Sequence, residues 1–187
     1  MPRELSEQEK LISALKKSSM TQWSERFDSL VSGWIKPGMD VIDLGCEVGH
    51  LTNHIKNNLS GIPEGVDTCL AAIKYAKNKY PGVCYTWVNS EIDYLFDLER
   101  LVDCICIKGL LRNMDDEYVV KVLTSASHVV KPDGLIVINL LGDSMRDTVK
   151  DSLENFNLVY ETKYRTGGKS NHIFLVYKNK GGVEYPL

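Results

Sequence analysis

Hydrophobic and polar positions along this chain follow two alternating periods. Short, nearly continuous apolar runs are typical of strands that are buried on both faces, and they recur at 41–44, 62–67, 83–88, 102–107 and 135–141. Between these runs, apolar residues repeat every three to four positions, which predicts helices. Two later runs, 158–164 and 173–177, flank a loop that contains Gly167 and Gly168, and they predict an antiparallel hairpin. The pattern therefore predicts an α/β protein whose parallel sheet is covered by helices on both faces.

The first 34 residues predict two helices ahead of the first strand. The second of these helices carries an aromatic stripe, formed by Trp23, Phe27, Leu30, Val31 and Trp34. We interpret this stripe as part of the hydrophobic core, and a wall of a substrate pocket is the alternative. Because no linker or repeat interrupts the pattern, we expect residues 1–187 to form one domain.

Composition and charge narrow the classes of function. Of 187 residues, 43% are hydrophobic, and 22 basic residues against 25 acidic ones give a net charge of −3. This balance argues against a nucleic-acid partner, because such binders gather positive charge. No apolar run reaches the length of about 20 residues that crosses a membrane. The first residues lack the apolar stretch of a secretory signal, so the expected location is cytoplasmic.

The cysteine and histidine residues do not predict a metal site. The five cysteines lack zinc-type spacing, and Cys104 and Cys106 point to one face of an apolar strand, where we expect buried, reduced thiols. His50 and His54 stand four residues apart on a helix, but no H-E-x-x-H pattern accompanies them. We expect a surface or ligand-adjacent role for these two histidines.

The segment 41–50 is the most informative one for chemistry. Its turn, which contains Gly45 and Gly49, joins the first strand to the next helix, and open α/β sheets bind their ligands at such turns. Asp67 ends the second strand, 18 residues after Gly49, where a carboxylate accepts hydrogen bonds from a ribose diol. Asp43 would repel a pyrophosphate but suits a cationic amino-acid ligand. The G-x-G-x-x-G pattern of dinucleotide enzymes is absent.

Five ordered segments resemble the motifs of the Rossmann-like, class I S-adenosylmethionine-dependent methyltransferases. They are 43–49 (DLGCEVG), 65–68 (GVDT), 87–91 (WVNSE), 102–108 (VDCICIK) and 129–134 (VVKPDG). The resemblance runs from about residue 23 to the end of the chain. It implies an open seven-stranded, mostly parallel sheet whose last strand is antiparallel. It also implies that the N-terminal helices, within residues 1–36, cover the cofactor and acceptor site.

The same resemblance implies the cofactor S-adenosyl-L-methionine and a set of residues that contact it. The expected cofactor-binding residues are Asp43, Gly45, Cys46, Gly49, Asp67, Thr68, Asn89, Ser90 and Lys108. Lys108 and Asn113, which follow the fourth strand, are the expected catalytic residues on the acceptor side. No metal is expected.

Three positions depart from the family pattern. Glu47 stands at the middle glycine of the first motif, which predicts crowding near the methionine half of the cofactor and weaker binding. Asn89 replaces an aspartate at the adenine-binding turn, and Asn113 stands where many relatives place a histidine base.

The sequence therefore predicts a methyltransferase that acts on a small-molecule acceptor. Since no histidine stands out as a base, a nitrogen or an already ionised oxygen fits best as the nucleophile. One alternative is an RNA 2′-O-methyltransferase, but the Lys-Asp-Lys-Glu tetrad of those enzymes is matched only by Lys108, Asn139 and Asn171. Another is a non-catalytic partner protein with the same fold. The sequence leaves the oligomeric state open.

Overall fold

The computed structural model describes residues 10, 12–13, 22–112, 114–165 and 171–181, and it describes their side chains except those of residues 22–24. The helices are α1 (Gln22–Val31), α2 (His50–Asn58), α3 (Leu70–Lys79), α4 (Glu91–Phe96), α5 (Asp116–Val129) and α6 (Arg146–Ser152). The strands are β1 (Asp40–Leu44), β2 (Ile62–Asp67), β3 (Cys84–Trp87), β4 (Val102–Lys108), β5 (Val130–Leu141), β6 (Phe156–Arg165) and β7 (Asn171–Asn179).

The seven strands form one sheet in the order β3-β2-β1-β4-β5-β7-β6. The first five strands pair in parallel, and β7 pairs antiparallel with both β5 and β6. The predicted seven-stranded, mostly parallel sheet with a C-terminal hairpin is therefore confirmed. Strand order reverses next to β1, and this switch point is where open α/β sheets bind ligands.

Strand β4 shows how a continuous apolar run supports a sheet that is covered on both faces. Ile105 and Ile107 pack into the core beneath α4, α5 and α6, whereas Cys104 and Cys106 pack into the core beneath α1 and α2. Both cysteines are fully buried free thiols, as predicted. Cys84, in contrast, is exposed on the short edge strand β3.

Helix α1 packs on one face of the sheet, over strands β1, β4, β5 and β7. Phe27 and Val31 are fully buried there, and the ring of Phe27 meets the ring of Phe174 edge-on at 5.3 Å. Trp34 packs against the same core from just beyond the helix and contacts Tyr160, with ring centroids 5.6 Å apart. The aromatic stripe is therefore core over its described side chains, and the side chain of Trp23 lies outside them.

Several predicted boundaries were wrong for local reasons. Strand β5 begins at Val130 rather than 135, because Val130 already pairs with Val102 before a register shift that takes up residues 131–134. Strand β6 begins at Phe156 rather than 158, since α6 ends at Ser152 and only a short turn separates the two elements. The short helix α4 was not predicted. The first predicted helix lies almost entirely outside the described residues. Within the described ranges, none of the helices has the length and apolar character needed to span a membrane.

Candidate active site

The turn between β1 and α2 forms the centre of the site. Gly45, Glu47 and Gly49 all adopt positive φ, at 74°, 50° and 79°. A Cβ at Gly49 would lie 2.5 Å from the hydroxyl oxygen of Tyr85, so only glycine fits under that side chain. The amides of Gly45 and Cys46 both donate to the carbonyl of Val66, which ties the turn to β2. Backbone at this turn is thus held in the tight path that lets a ligand approach it.

Asp43 is a buried carboxylate with one oxygen engaged. Its side chain is 1% exposed, and Oδ2 accepts a hydrogen bond of 2.6 Å from the hydroxyl of Thr52. No described donor bonds to the other oxygen, Oδ1. Burial raises the pKa of Asp43 to about 6, against the opposing effects of Thr52 and Lys108. An acceptor buried in this way is suited to a cationic ligand group.

Glu47 and Asp67 are joined through the backbone. Asp67 Oδ2 accepts from the amide of Glu47 and Oδ1 accepts from the amide of Cys69, each at 2.7 Å. The side chain of Glu47 borders the same cleft as Asp43. Burial is the main cause that raises the pKa of Glu47 to about 7; Asp67 and Asp43 add to it, and Lys108 opposes it. The structure therefore places three carboxyl groups around the turn.

The cleft at this turn measures about 280 Å³, including space open to solvent, and Lys108 of β4 is one of the residues that line it. Its lining also includes Asp43, Gly45, Cys46, Glu47, His50 and Leu51. Lys108 Nζ lies 2.7 Å from Asp28 Oδ1 on α1 and 5.8 Å from the ring centroid of Phe27. With the lysine and aspartate side chains 9% and 19% exposed, this ion pair is largely buried. Helix α1 is thus tied directly to the cleft.

His50 lines the cleft, and its ligand-adjacent role stays a prediction. Its Nδ1 lies 2.8 Å from the hydroxyl of Tyr80, and its buried Nε2 has no hydrogen-bond partner among the described residues. Burial, followed by the charges of Lys79 and Lys108, lowers the pKa of His50, so its ring is neutral at physiological pH. His54 points elsewhere, with Nε2 3.0 Å from the hydroxyl of Ser32 at the end of α1.

The expected adenine-side residues lie along the ends of β2 and β3, and they are not among those lining this cleft. Thr68 is exposed, and its carbonyl accepts from Trp87 Nε1 at 3.0 Å. Asn89 is exposed, whereas the hydroxyl of Ser90 accepts from the amide of Asp93 and caps α4. Sequence reasoning missed Glu91, which is 6% exposed and accepts from the hydroxyl of Tyr118 at 3.1 Å.

A row of polar side chains continues from Lys108 across the sheet beneath α1. Lys108 pairs in register with Asn139, whose Oδ1 accepts a 2.6 Å hydrogen bond from the hydroxyl of Tyr164. The ring of Tyr164 stacks on His172 at 5.2 Å, and His172 is 6% exposed. This row begins at Lys108, where the resemblance predicts the acceptor side. Asn113, the expected catalytic residue there, lies outside the described residues.

Asp28 is a second residue that sequence reasoning did not identify, and it lies next to the cleft. It lies on the polar side of an amphipathic helix, where a lone carboxylate looks solvent-exposed in the sequence. Only the packing of α1 over the end of β4 brings it to Lys108.

Comparisons with known proteins identify the family of this chain. Residues 41–134, half of the chain, match the model of the protein family described as "Methyltransferase domain". The 235L protein of Invertebrate iridescent virus 6, a methyltransferase by name, is 24% identical over 189 residues, which cover 92% of this chain and 66% of that protein. Ribosomal RNA large subunit methyltransferase E of Herminiimonas arsenicoxydans is 26% identical over 165 residues, which cover 77% of this chain and 76% of that protein.

The fold likeness extends to solved structures. The N-methyltransferase NodS from Bradyrhizobium japonicum WM9, in complex with S-adenosyl-L-homocysteine, has a TM-score of 0.73 at 16% identity, and the match covers 91% of this chain and 99% of that one. The two sequence relatives are longer, and this chain spans about two thirds to three quarters of their length. The matched family segment contains the glycine turn, Asp67 and Lys108, and so the chain belongs to the class I S-adenosylmethionine-dependent methyltransferases.

Proposed function

We propose that this chain transfers the methyl group of S-adenosylmethionine to a small-molecule acceptor, through a nitrogen or an already ionised oxygen. The observation that carries the acceptor class is the ion pair between Lys108 and Asp28. Lys108 is the cation at the end of β4, and Asp28 already pairs with it at 2.7 Å in a largely buried contact. Nucleic-acid binding draws on basic side chains that can neutralise phosphates, and this lysine is already neutralised by a carboxylate.

The described residues fit this cofactor. Asp43 Oδ1 is a buried acceptor that suits the amino group of the methionine half, and the positive φ of Gly45 and Gly49 gives the turn the tight backbone path along which a ligand can approach. Asp67, held by two backbone amides, is oriented to accept from ribose hydroxyls. At the outer edge we assign adenine contacts to Thr68, Asn89 and Ser90.

When bound, S-adenosylmethionine supplies a methyl group activated by a positively charged sulfur. The protein then has to align the acceptor with this methyl and exclude water, and it needs a base only where the acceptor must lose a proton. Lys108, held in place by Asp28 and Phe27, fixes the wall between the cleft and the polar row. We assign contact with the acceptor to Lys108 and Asn113.

The test is methyl transfer from tritiated S-adenosylmethionine. The purified chain is incubated in parallel with a small-molecule cell extract and with total RNA, and the labelled product is separated by size. We expect label in the small-molecule fraction, with Lys108→Met lowering it at least about tenfold and the exposed Lys121→Met leaving it unchanged.

An RNA 2′-O-methyltransferase is the second candidate, favoured by the likeness to the ribosomal RNA enzyme. The tetrad of such enzymes has no full match, because asparagines stand at two of the comparable positions. In the structure Asn139 bonds to Tyr164, and Asn171 accepts from Arg165 at 2.8 Å. Label in RNA would establish this candidate. Failure of the protein to bind S-adenosylmethionine by calorimetry would instead indicate a non-catalytic partner protein.

A further inference from the structure

Four charged side chains from four elements meet at the cleft. Asp28 on α1 pairs with Lys108 of β4, while Asp43 of β1 and Glu47 of the following turn border the cleft together with Lys108. We call these four side chains the charge set. When all four are ionised, three carboxylates and one ammonium give it a net charge of −2. A buried excess of one sign attracts a ligand group of the opposite sign.

A second observation points to a ligand at this charge set. Asp43 is 1% exposed and borders the cleft, yet its Oδ1 has no hydrogen-bond partner within the described part of the chain. Leaving a buried carboxylate oxygen unpaired is costly, so such an atom marks the place of a missing donor or cation.

We propose that the charge set makes the cleft selective for the sulfonium cofactor S-adenosylmethionine over its neutral thioether product, S-adenosylhomocysteine. Glu47 is the residue that determines this selectivity. Asp28 is a positioning residue that acts by neutralising Lys108. The proposal rests on the proposed function, since it takes the cleft to be the cofactor site.

The two ligands isolate the effect of charge. They share the same adenosine, ammonium and carboxylate groups and differ by one methyl group and one positive charge. Contacts to the shared parts therefore cancel when their affinities are compared. What remains is the interaction of the sulfonium with the charge set. Glu47 strengthens this interaction, and Lys108 would weaken it if Asp28 did not neutralise the lysine.

The protonation of the free protein supports the same idea. Burial raises the pKa of Asp43 to about 6 and that of Glu47 to about 7, so part of the negative charge is masked by protons near neutral pH. The charged groups that face Glu47 are Lys108, Asp67 and Asp43, with Asp28 and His50 next to them. Both ligands bring an ammonium group that expels protons from these carboxyl groups, and the sulfonium of S-adenosylmethionine should expel more of them than the neutral thioether does.

The experiment is isothermal titration of both ligands into the full chain at pH 8. We expect wild type to bind S-adenosylmethionine about tenfold or more tightly than S-adenosylhomocysteine. This ratio should fall about five- to tenfold in Glu47→Gln, fall in Asp28→Asn, recover in Asp28→Glu and rise in Lys108→Met. Asp143→Asn, which removes an exposed carboxylate paired with Lys163, is the matched control and should leave the ratio unchanged.

Wild type alone provides a test that needs no substitution. Its affinity ratio should fall as the pH is lowered from 8 to 5.5, and titrations in buffers of different ionisation enthalpy should show more protons released by S-adenosylmethionine than by S-adenosylhomocysteine. A ratio near one at pH 8, or a ratio that Glu47→Gln leaves unchanged, overturns the selectivity while the proposed function stands. Absence of binding by either ligand overturns both.

Discussion

Asp67 has both carboxylate oxygens committed to backbone amides before any ligand arrives. It is 8% exposed, and its bonds to the amides of Glu47 and Cys69 fix its plane at the end of β2. A carboxylate has about four acceptor positions, so two remain for hydroxyl donors. At the scale of single residues, this prepared acceptor is the most specific feature of the site.

We predict that Asp67→Ala weakens binding of S-adenosylhomocysteine by about 1.5–3 kcal/mol, the range for charge-assisted hydrogen bonds. The measurement is calorimetric titration, with urea denaturation to confirm that the variant folds. Asp151→Ala, which removes an exposed carboxylate on α6, serves as the control. Wild-type affinity in the Asp67 variant would remove this residue from the cofactor site.

At the scale of elements, the aromatic residue Phe27 anchors α1 to the sheet beside the cleft. Phe27 is fully buried against Phe174 and lies under the ammonium of Lys108. We predict that Phe27→Ala lowers the free energy of unfolding by about 3–5 kcal/mol, because it leaves a cavity between the helix and the sheet. Urea denaturation measures this loss, and Glu25→Ala on the exposed side of α1 should change stability by less than about 0.5 kcal/mol. A loss below about 1 kcal/mol for Phe27→Ala would show that α1 is only loosely attached.

The sequence predicts best those elements whose own residues show how they are buried. The run 102–107 is apolar at nearly every position because β4 is covered on both faces. Its predicted bounds differ from those of the observed strand by one residue. Helix α4 is only six residues long and escapes a periodicity test, although Ser90, whose hydroxyl oxygen accepts a hydrogen bond from the amide of Asp93, caps its start. Strand β5 was mispredicted at its start because Pro132 and Gly134 read as a turn, whereas the pairing of Val130 with Val102 is a tertiary effect.

The same limit applies to the site. Asp43, Gly45 and Lys108 could be predicted because they stand at the ends of strands or in the turn after β1, and the structure brings all three to one cleft. Their roles toward the cofactor stay predictions. The partnership of Asp28 with Lys108 spans 80 residues and depends on how α1 crosses the sheet, so no local pattern contains it.

At the scale of the whole molecule, buried ionisable groups make stability depend on pH in two opposing ways. The pKa values of Asp43 and Glu47 are raised in the fold, so the folded state holds protons that the unfolded chain has already released. Their contribution to stability therefore falls as the pH rises from about 4 to 7. Burial lowers the pKa values of His50 and His172, and their contribution is lost as the pH falls below 6.5.

A single substitution separates these contributions. Burial, followed by the charges of Asp67 and Asp43, opposes ionisation of the Glu47 side chain, and Glu47→Gln removes that ionisation. The same substitution takes a favourable neighbour away from Lys108. We predict that this variant matches wild type near pH 4 within a constant offset, then gains stability relative to it as the pH rises, by on the order of 2 kcal/mol at pH 8. Urea denaturation from pH 4 to 8 measures the difference, and Glu99→Gln, at an exposed position, should run parallel to wild type. A difference between Glu47→Gln and wild type that stays constant with pH would mean that Glu47 ionises as freely in the fold as in the unfolded chain, and the carboxylates around the cleft would then carry their full charge before any ligand binds.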